Sequence, residues 1–100
     1  MSLEDVLARD RRRMMLASLK EDQGYALNEA SLRMVLGHIG HTMSRDQVRA
    51  EADYLRLHGL VRIEKLPTET GELWILHLTE TGLDVANGSS HPGVARPQPR

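Results

Sequence analysis

Apolar positions along this chain recur with two periods, one helical and one of two residues. In Ser44 to Val61, SRDQVRAEADYLRLHGLV, the residues Val48, Ala52 and Leu55 fall at i, i+4 and i+7 and line one face of a helix. Ser44 has the side chain of an N-cap, which accepts a bond from an unpaired backbone N–H two or three residues on. Gly59 suits the left-handed conformation that ends a helix, and Leu60-Val61 opens a strand-like run. This spacing predicts a helix from Ser44 to His58 as the element around which the chain is organised.

Upstream, Leu3, Val6 and Leu7 form one apolar group and Met14, Met15, Leu16 and Leu19 a second, which predicts a helix from about Leu3 to Glu21. Ser2 caps it, and Glu4 and Asp5 stand in the first turn, where the helix dipole favours acids. The second group is expected to anchor the core. The first is left to pack on a partner subunit or to lie loosely. Gln23-Gly24 ends the helix, and Tyr25-Ala26-Leu27 reads as a short extended piece. Asn28 caps a second helix running to about Gly37, with Leu32, Val35 and Leu36 inward; His38 and Ile39 fit either its end or the following turn.

Downstream the period changes to two. Val61 and Ile63 alternate with Arg62 and Glu64 in a half-buried strand, Val61 to Leu66. Pro67-Thr68-Glu69-Thr70-Gly71 has turn chemistry, and Leu73 to Leu78 returns as a strand. A short last helix is expected over about Glu80 to Ala86. Helices followed by a hairpin predict an α+β domain over residues 1–86, with the helices packed on a small antiparallel sheet. Gly, Ser, Pro and Arg dominate residues 87–100, which are expected to form a disordered tail.

The 100 residues suffice for one domain with a modest core. Cysteine is absent, which excludes disulfides and thiolate metal sites. With no Phe and one Trp the core must be aliphatic, and Trp74 is expected to pack on a helix. The N-terminus has early acids and no apolar signal core, and no apolar run approaches the length of a bilayer, so the expected location is the cytoplasm. The formal net charge of −1 is low for a nucleic-acid binder, so any such role must rest on local charge.

The capped helix, its Gly59 and the following Leu60-Val61 resemble the recognition helix and wing of the winged helix-turn-helix regulators of the ArsR, MarR and PadR type. "LTETGLDVA" resembles the segment that follows the wing in many of them. More narrowly, "SLEDVLARDRRR", "GYALNEASL" and "SRDQVRAE..YL...GLV" resemble a small winged-helix family of Mu-like phages and prophages. The resemblance implies a DNA-binding protein, a phage or prophage transcriptional regulator, with the helix over residues 44–58 in the major groove of double-stranded DNA. Arg45, Asp46, Gln47 and Arg49 would then face base edges, Thr42 and Ser44 would meet a phosphate at the helix N-terminus, and Arg62 and Lys65 in the wing would reach the flanking backbone. A homodimer through the first and last helices would use Leu3, Val6, Leu7, Leu83 and Val85.

The charges also allow a different reading. The helix carries Arg45, Arg49 and Arg56 against Asp46, Glu51 and Asp53, for a formal charge of zero. In the hairpin Glu64, Glu69 and Glu72 outnumber Arg62 and Lys65, and phosphate repels such a surface. A winged-helix module that binds protein, for example an adaptor in phage assembly or packaging, accommodates both features, since this fold hosts both functions. Arg11-Arg12-Arg13 is either a contact for phosphate or an acidic partner, or the wet side of the first helix. His38 and His41 have an H-x-x-H spacing in a Gly-rich turn, short of the three or four fixed ligands a tight metal site needs. No metal or other cofactor is expected. No nucleophile motif, phosphate loop or framed carboxylate pair is present, and the expectation is a protein that is not an enzyme.

Overall fold

The computed structural model describes residues 1–97. Its elements are α1 (Leu3–Glu21), β1 (Ala26–Asn28), α2 (Glu29–His38), α3 (Arg45–Leu57), β2 (Val61–Thr68), β3 (Gly71–Leu78) and α4 (Glu80–Ala86). The architecture is α+β, with four helices and one three-stranded antiparallel sheet in the order β1-β3-β2. Among the described residues no helix is long and apolar enough to cross a membrane.

Local chemistry sets the helix ends. Ser2 with Asp5 and Ser44 with Gln47 form reciprocal capping boxes on α1 and α3. The side chains of Asn28 and Thr79 accept from the N–H groups of Ser31 and Gly82. Each such cap stabilises its helix by about 1 kcal/mol. At the other end of α3, Gly59 has φ +73. The Gly59 N–H donates to Arg56 O and the Leu60 N–H to Leu55 O. This paired closure turns the chain out of the helix and puts buried Leu55 beside buried Leu60. The Thr79 N–H donates to Leu60 O, so α4 docks on the corner between α3 and β2. Gly82 lies so close there that a Cβ would overlap the Leu60 carbonyl oxygen.

The core lies between α1, α2, α3 and the sheet. Met15, Leu16 and Leu19 of α1, Leu32 and Leu36 of α2, and Val48, Ala52 and Leu55 of α3 are all fully buried, with Leu60 and Leu76 closing the sheet side. These are the anchors that the helical spacing singles out. Leu3, Val6 and Leu7 remain exposed. Val35, expected inward, sits at the rim of α2 with 37% of its surface exposed, because its neighbours Leu32 and Leu36 already fill the inward arc.

Two further expectations are corrected. The hairpin turn is shorter than Pro67 to Gly71: Pro67 pairs with Glu72 and Thr68 with Gly71, leaving Glu69-Thr70 as the loop. Pro67 is tolerated because β2 is an edge strand, where a missing N–H interrupts no second ladder. The tail expected to be disordered is docked over its described part, so the folded unit continues past Ala86; residues 98–100 lie outside the described residues. Val94 is 4% exposed and joins the core, and the Ala95 N–H donates to Arg9 O of α1. The Arg12 guanidinium donates to Gly93 O, and Gly93 packs on Tyr54 with no room for a Cβ. Composition signals solubility of a segment, but one Val and two backbone acceptors suffice to hold it.

Val94→Ala should therefore lower stability by ~1–2 kcal/mol, the cost of removing buried methyl groups. Urea unfolding followed by circular dichroism checks this, and an unchanged midpoint would mean the segment is not docked.

Candidate functional site

Helix α3 presents a core face, an outward face and two flanks. Val48, Ala52 and Leu55 face the core. Asp46, Ala50, Asp53 and Leu57, spaced i, i+4, i+7 and i+11, share the outward face, where Leu57 is 72% exposed. On the two flanks Arg45, Arg49 and Glu51 bond to the rest of the fold, while exposed Arg56 pairs with Asp53 of α3 itself at 2.9 Å.

On one flank stands Glu29, the first residue of α2, with 4% of its surface exposed. Arg49 donates to it through both Nε and Nη2, at 2.6 and 2.8 Å. Arg45 Nε donates to the same carboxylate at 3.2 Å, and the Trp74 backbone N–H at 2.6 Å. Both guanidinium groups also donate to the Glu72 carbonyl of the hairpin at 2.8 Å. Arg49 and Lys65 each stand 4.6 Å from the centre of the Trp74 ring. One carboxylate thus ties α2, α3 and β3 together. Burial alone would push its pKa up, but the bonds from Arg49, Trp74 and Arg45 outweigh burial and hold it at about 2, below the ordinary 4.5. The same contact raises the pKa of Arg49.

On the other flank stands Glu51, 8% exposed. Arg11 Nε and Arg12 Nε of α1 donate to its two oxygens at 3.2 and 3.0 Å. Arg12 also lies 3.6 Å over the Tyr54 ring, and Arg13 pairs with Asp10 at 2.7 Å. The arginine run of α1 is thus distributed among acids of its own chain.

The residues singled out as DNA contacts therefore have different surroundings. Arg45 and Arg49 converge on Glu29. Ser44 and Gln47 bond each other in the capping box, at 3.1 and 2.8 Å. Asp46 is exposed on the outward face. Thr42 lies in the cleft between α1 and α3. Arg62 is exposed opposite His77 on the hairpin, and Lys65 covers Trp74. Of the expected dimer contacts on α4, Leu83 is half-buried and Val85, 6% exposed, is used in its own core. Val85 has no surface left for a partner.

Sequence reasoning missed Glu29 as the hub. Its partners lie 16, 20 and 45 positions away, so no local spacing announces it. The available signal was an acid placed directly after the Asn28 cap, which the helix dipole alone explains. The imidazole of His41 bonds Asp10 at 2.9 Å, and among the described residues no group of three or more His, Asp or Glu is arranged to hold a metal ion.

The fold and this flank geometry define a small α+β domain in which charge-assisted bonds onto two buried glutamates tie α3 to α1, α2 and the hairpin. No family model matches the chain. It is 39% identical over 99 residues to the uncharacterized protein gp26 of Escherichia phage Mu, covering 98% of each chain. An uncharacterized protein of Haemophilus influenzae is 38% identical over 66 residues, which span 66% of this chain and 64% of that one. The chain belongs to the family of the phage Mu gp26 protein.

A depressed carboxylate stabilises the fold above its unfolded pKa and loses that contribution as pH falls toward its folded one. For Glu29 the window runs from 4.5 down to about 2. The shift corresponds to ~3 kcal/mol. Glu29→Gln should cost about 2–3 kcal/mol at neutral pH, because two guanidinium groups lose their carboxylate. The variant should also lose less stability than the wild type between pH 4.5 and 2. Urea unfolding at neutral and acid pH measures both, and parallel pH profiles for the two proteins would dismiss the hub.

Proposed function

We propose that the chain is a winged-helix domain that binds a protein partner through the outward face of α3 and the β2–β3 hairpin. The element order, with α3 running into a hairpin whose sheet order is β1-β3-β2, supports the winged-helix reading. The choice of protein over base edges rests on one observation, the closure of Arg45 and Arg49 on buried Glu29. For Arg49 to reach a base it must leave that carboxylate, and breaking such a pair costs ~3–5 kcal/mol. A bidentate base contact adds only ~1–3 kcal/mol of discrimination against a wrong base. The face that remains, Ala50 and Leu57 with Asp46 on one side and the Asp53–Arg56 pair on the other, offers an apolar contact beside a free acid. It fits a partner that brings an apolar side chain and a cation. An adaptor role in phage assembly or packaging, in the host cytoplasm, agrees with this surface and with the phage relative.

A second reading is duplex DNA and transcriptional regulation. It draws on Arg45, whose side chain is 55% exposed, and on exposed Arg62 and Lys65 of the hairpin.

Titration of fluorescent random-sequence duplex DNA at low salt, repeated as salt rises, separates the readings. The expected result is no salt-sensitive binding by the wild type and its appearance in Glu29→Gln, where the arginines are released. Steep salt-sensitive binding by the wild type overturns the protein-binding reading. A loss of ~1–3 kcal/mol in Arg49→Ala on a selected site would then place Arg49 at a base. On the protein side, a partner captured with the wild type should be lost with Leu57→Asp.

A further inference from the structure

The docked C-terminal segment rests on a turn whose geometry requires one protonation state. His91-Pro92-Gly93-Val94 is a β-turn: the Val94 N–H donates to His91 O at 3.2 Å. Pro92 takes the second position, where its fixed φ fits. The turn carries another bond, from the Gly93 N–H to His91 Nδ1 at 3.0 Å. A backbone N–H can only donate, so Nδ1 must keep its lone pair and the ring must be neutral. This bond helps to seat Gly93 against the Tyr54 ring, sets Gly93 O 3.1 Å from the Arg12 guanidinium and delivers Val94 to the core. Beyond the turn, the Ala95 N–H donates to Arg9 O of α1 at 3.1 Å.

The nearest side chains favour the neutral ring. His58, which caps α3, meets His91 edge to face with 5.0 Å between ring centres, and lies 4.3 Å from the Tyr54 ring. Arg12 stands 3.6 Å over that same Tyr54 ring. On the α1 side, Asp5, Arg9 and Arg12 line a cleft of about 380 Å³ against Pro92 and Gly93. Its acid is engaged, since Asp5 accepts from the Ser2 N–H, and Glu51 nearby is held by Arg11 and Arg12. Toward α4, Asp84 accepts from the Ser89 N–H through its backbone carbonyl, and within the segment Arg96 bonds Ser90 at 3.5 Å. Among the described residues the imidazoles paired with an acid are His41 and His77, not His58 or His91. Burial, then His58 and Arg12, hold the pKa of His91 below the ordinary 6.5.

We propose that the segment from His91 to Ala95 is a strap that protonation of His91 releases from α1 and α3. An imidazolium carries an N–H at Nδ1, which would point at the Gly93 N–H, so the turn loses a bond and gains two facing donors. The new charge also stands beside His58 and near Arg12. Gly93 then leaves Tyr54, and Val94, which the turn places in the core, follows. A base whose folded pKa is depressed supports the docked state fully above 6.5, and that support is lost as pH falls through 6.5 toward the folded value. Protonated His41 and His77 would face Asp10 and Glu64, so neither breaks its bond. Glu29 acts in a lower window, from 4.5 to about 2. Release is thus a local opening of an otherwise intact fold. It bares the Tyr54 ring, Arg12 and the apolar slot of Val94, a surface closed while His91 is neutral.

Amide hydrogen exchange read by NMR, corrected for the intrinsic pH dependence of exchange, tests this alongside the ring signals of His91. In the wild type the protection of the Val94 and Ala95 amides should fall roughly tenfold between about pH 7.5 and 5.5, in step with the titration of the His91 ring, while the amides of Leu36 and Leu76 keep theirs. His91→Asn retains an accepting oxygen for the N–H two residues on and has no proton to gain. Its Val94 and Ala95 amides should be protected at about pH 7.5 and change less than about twofold over the same range. Constant protection of Val94 and Ala95 while the His91 ring titrates overturns the proposal. So does a fall in His91→Asn as large as in the wild type, or a variant already unprotected at the higher pH. An equal fall at Leu36 and Leu76 overturns it too, because the whole fold rather than the strap would then be opening.

Discussion

The carboxylate of Glu29 is the point at which this small fold is tied together. It accepts from Arg45 and Arg49 of α3 and from the backbone of Trp74 in β3, while itself starting α2. Helix α3 and the hairpin touch through these polar bonds as well as through the aliphatic core. A carboxylate buried to this degree must be paired, because an uncompensated buried charge costs several kcal/mol. The pairing therefore fixes the angle of the hairpin against α3, and the hairpin's Glu72 carbonyl closes the same network from the other side.

That tie also decides what the surface can do. A helix with arginines in its first turns reads on paper as a cationic probe. Glu29 and Glu51 hold Arg49, Arg11 and Arg12 and pair with Arg45, which stays half-exposed, so the outer side of α3 shows Asp46, Ala50 and Leu57 beside an exposed Arg56–Asp53 pair. A formal net charge of −1 adds no long-range attraction for a polyanion. The protein-binding reading proposed for this face follows from the same bookkeeping of charges.

The C-terminal segment illustrates a different kind of constraint. Its Gly, Ser and Pro content carries no periodic apolar signal, yet Val94 enters the core beside α1. Gly93 is required there because the Tyr54 ring occupies the space of any Cβ. Arg12 serves both sides, bonding Glu51 and the Gly93 carbonyl. The arginine run of α1 thus clamps α3 on one hand and the C-terminal segment on the other.

The sequence alone determined the elements and most of the core. Caps at Ser2, Asn28 and Ser44, the stop at Gly59 and the spacing of Val48, Ala52 and Leu55 are local signals, set by backbone donors a few residues away and by helical period, and the bounds of α1 follow from them. Tertiary structure decided the partners of the charges. Arg49 exposed to a groove and Arg49 locked on Glu29 have the same sequence spacing, and they differ only in where α2 lies relative to α3. The docking of Val94 and the exposure of Val35 were settled in the same way, by which neighbours had already filled the space. Period and capping act over one or two turns of chain, whereas charge pairing and packing act through distances that exist only after folding.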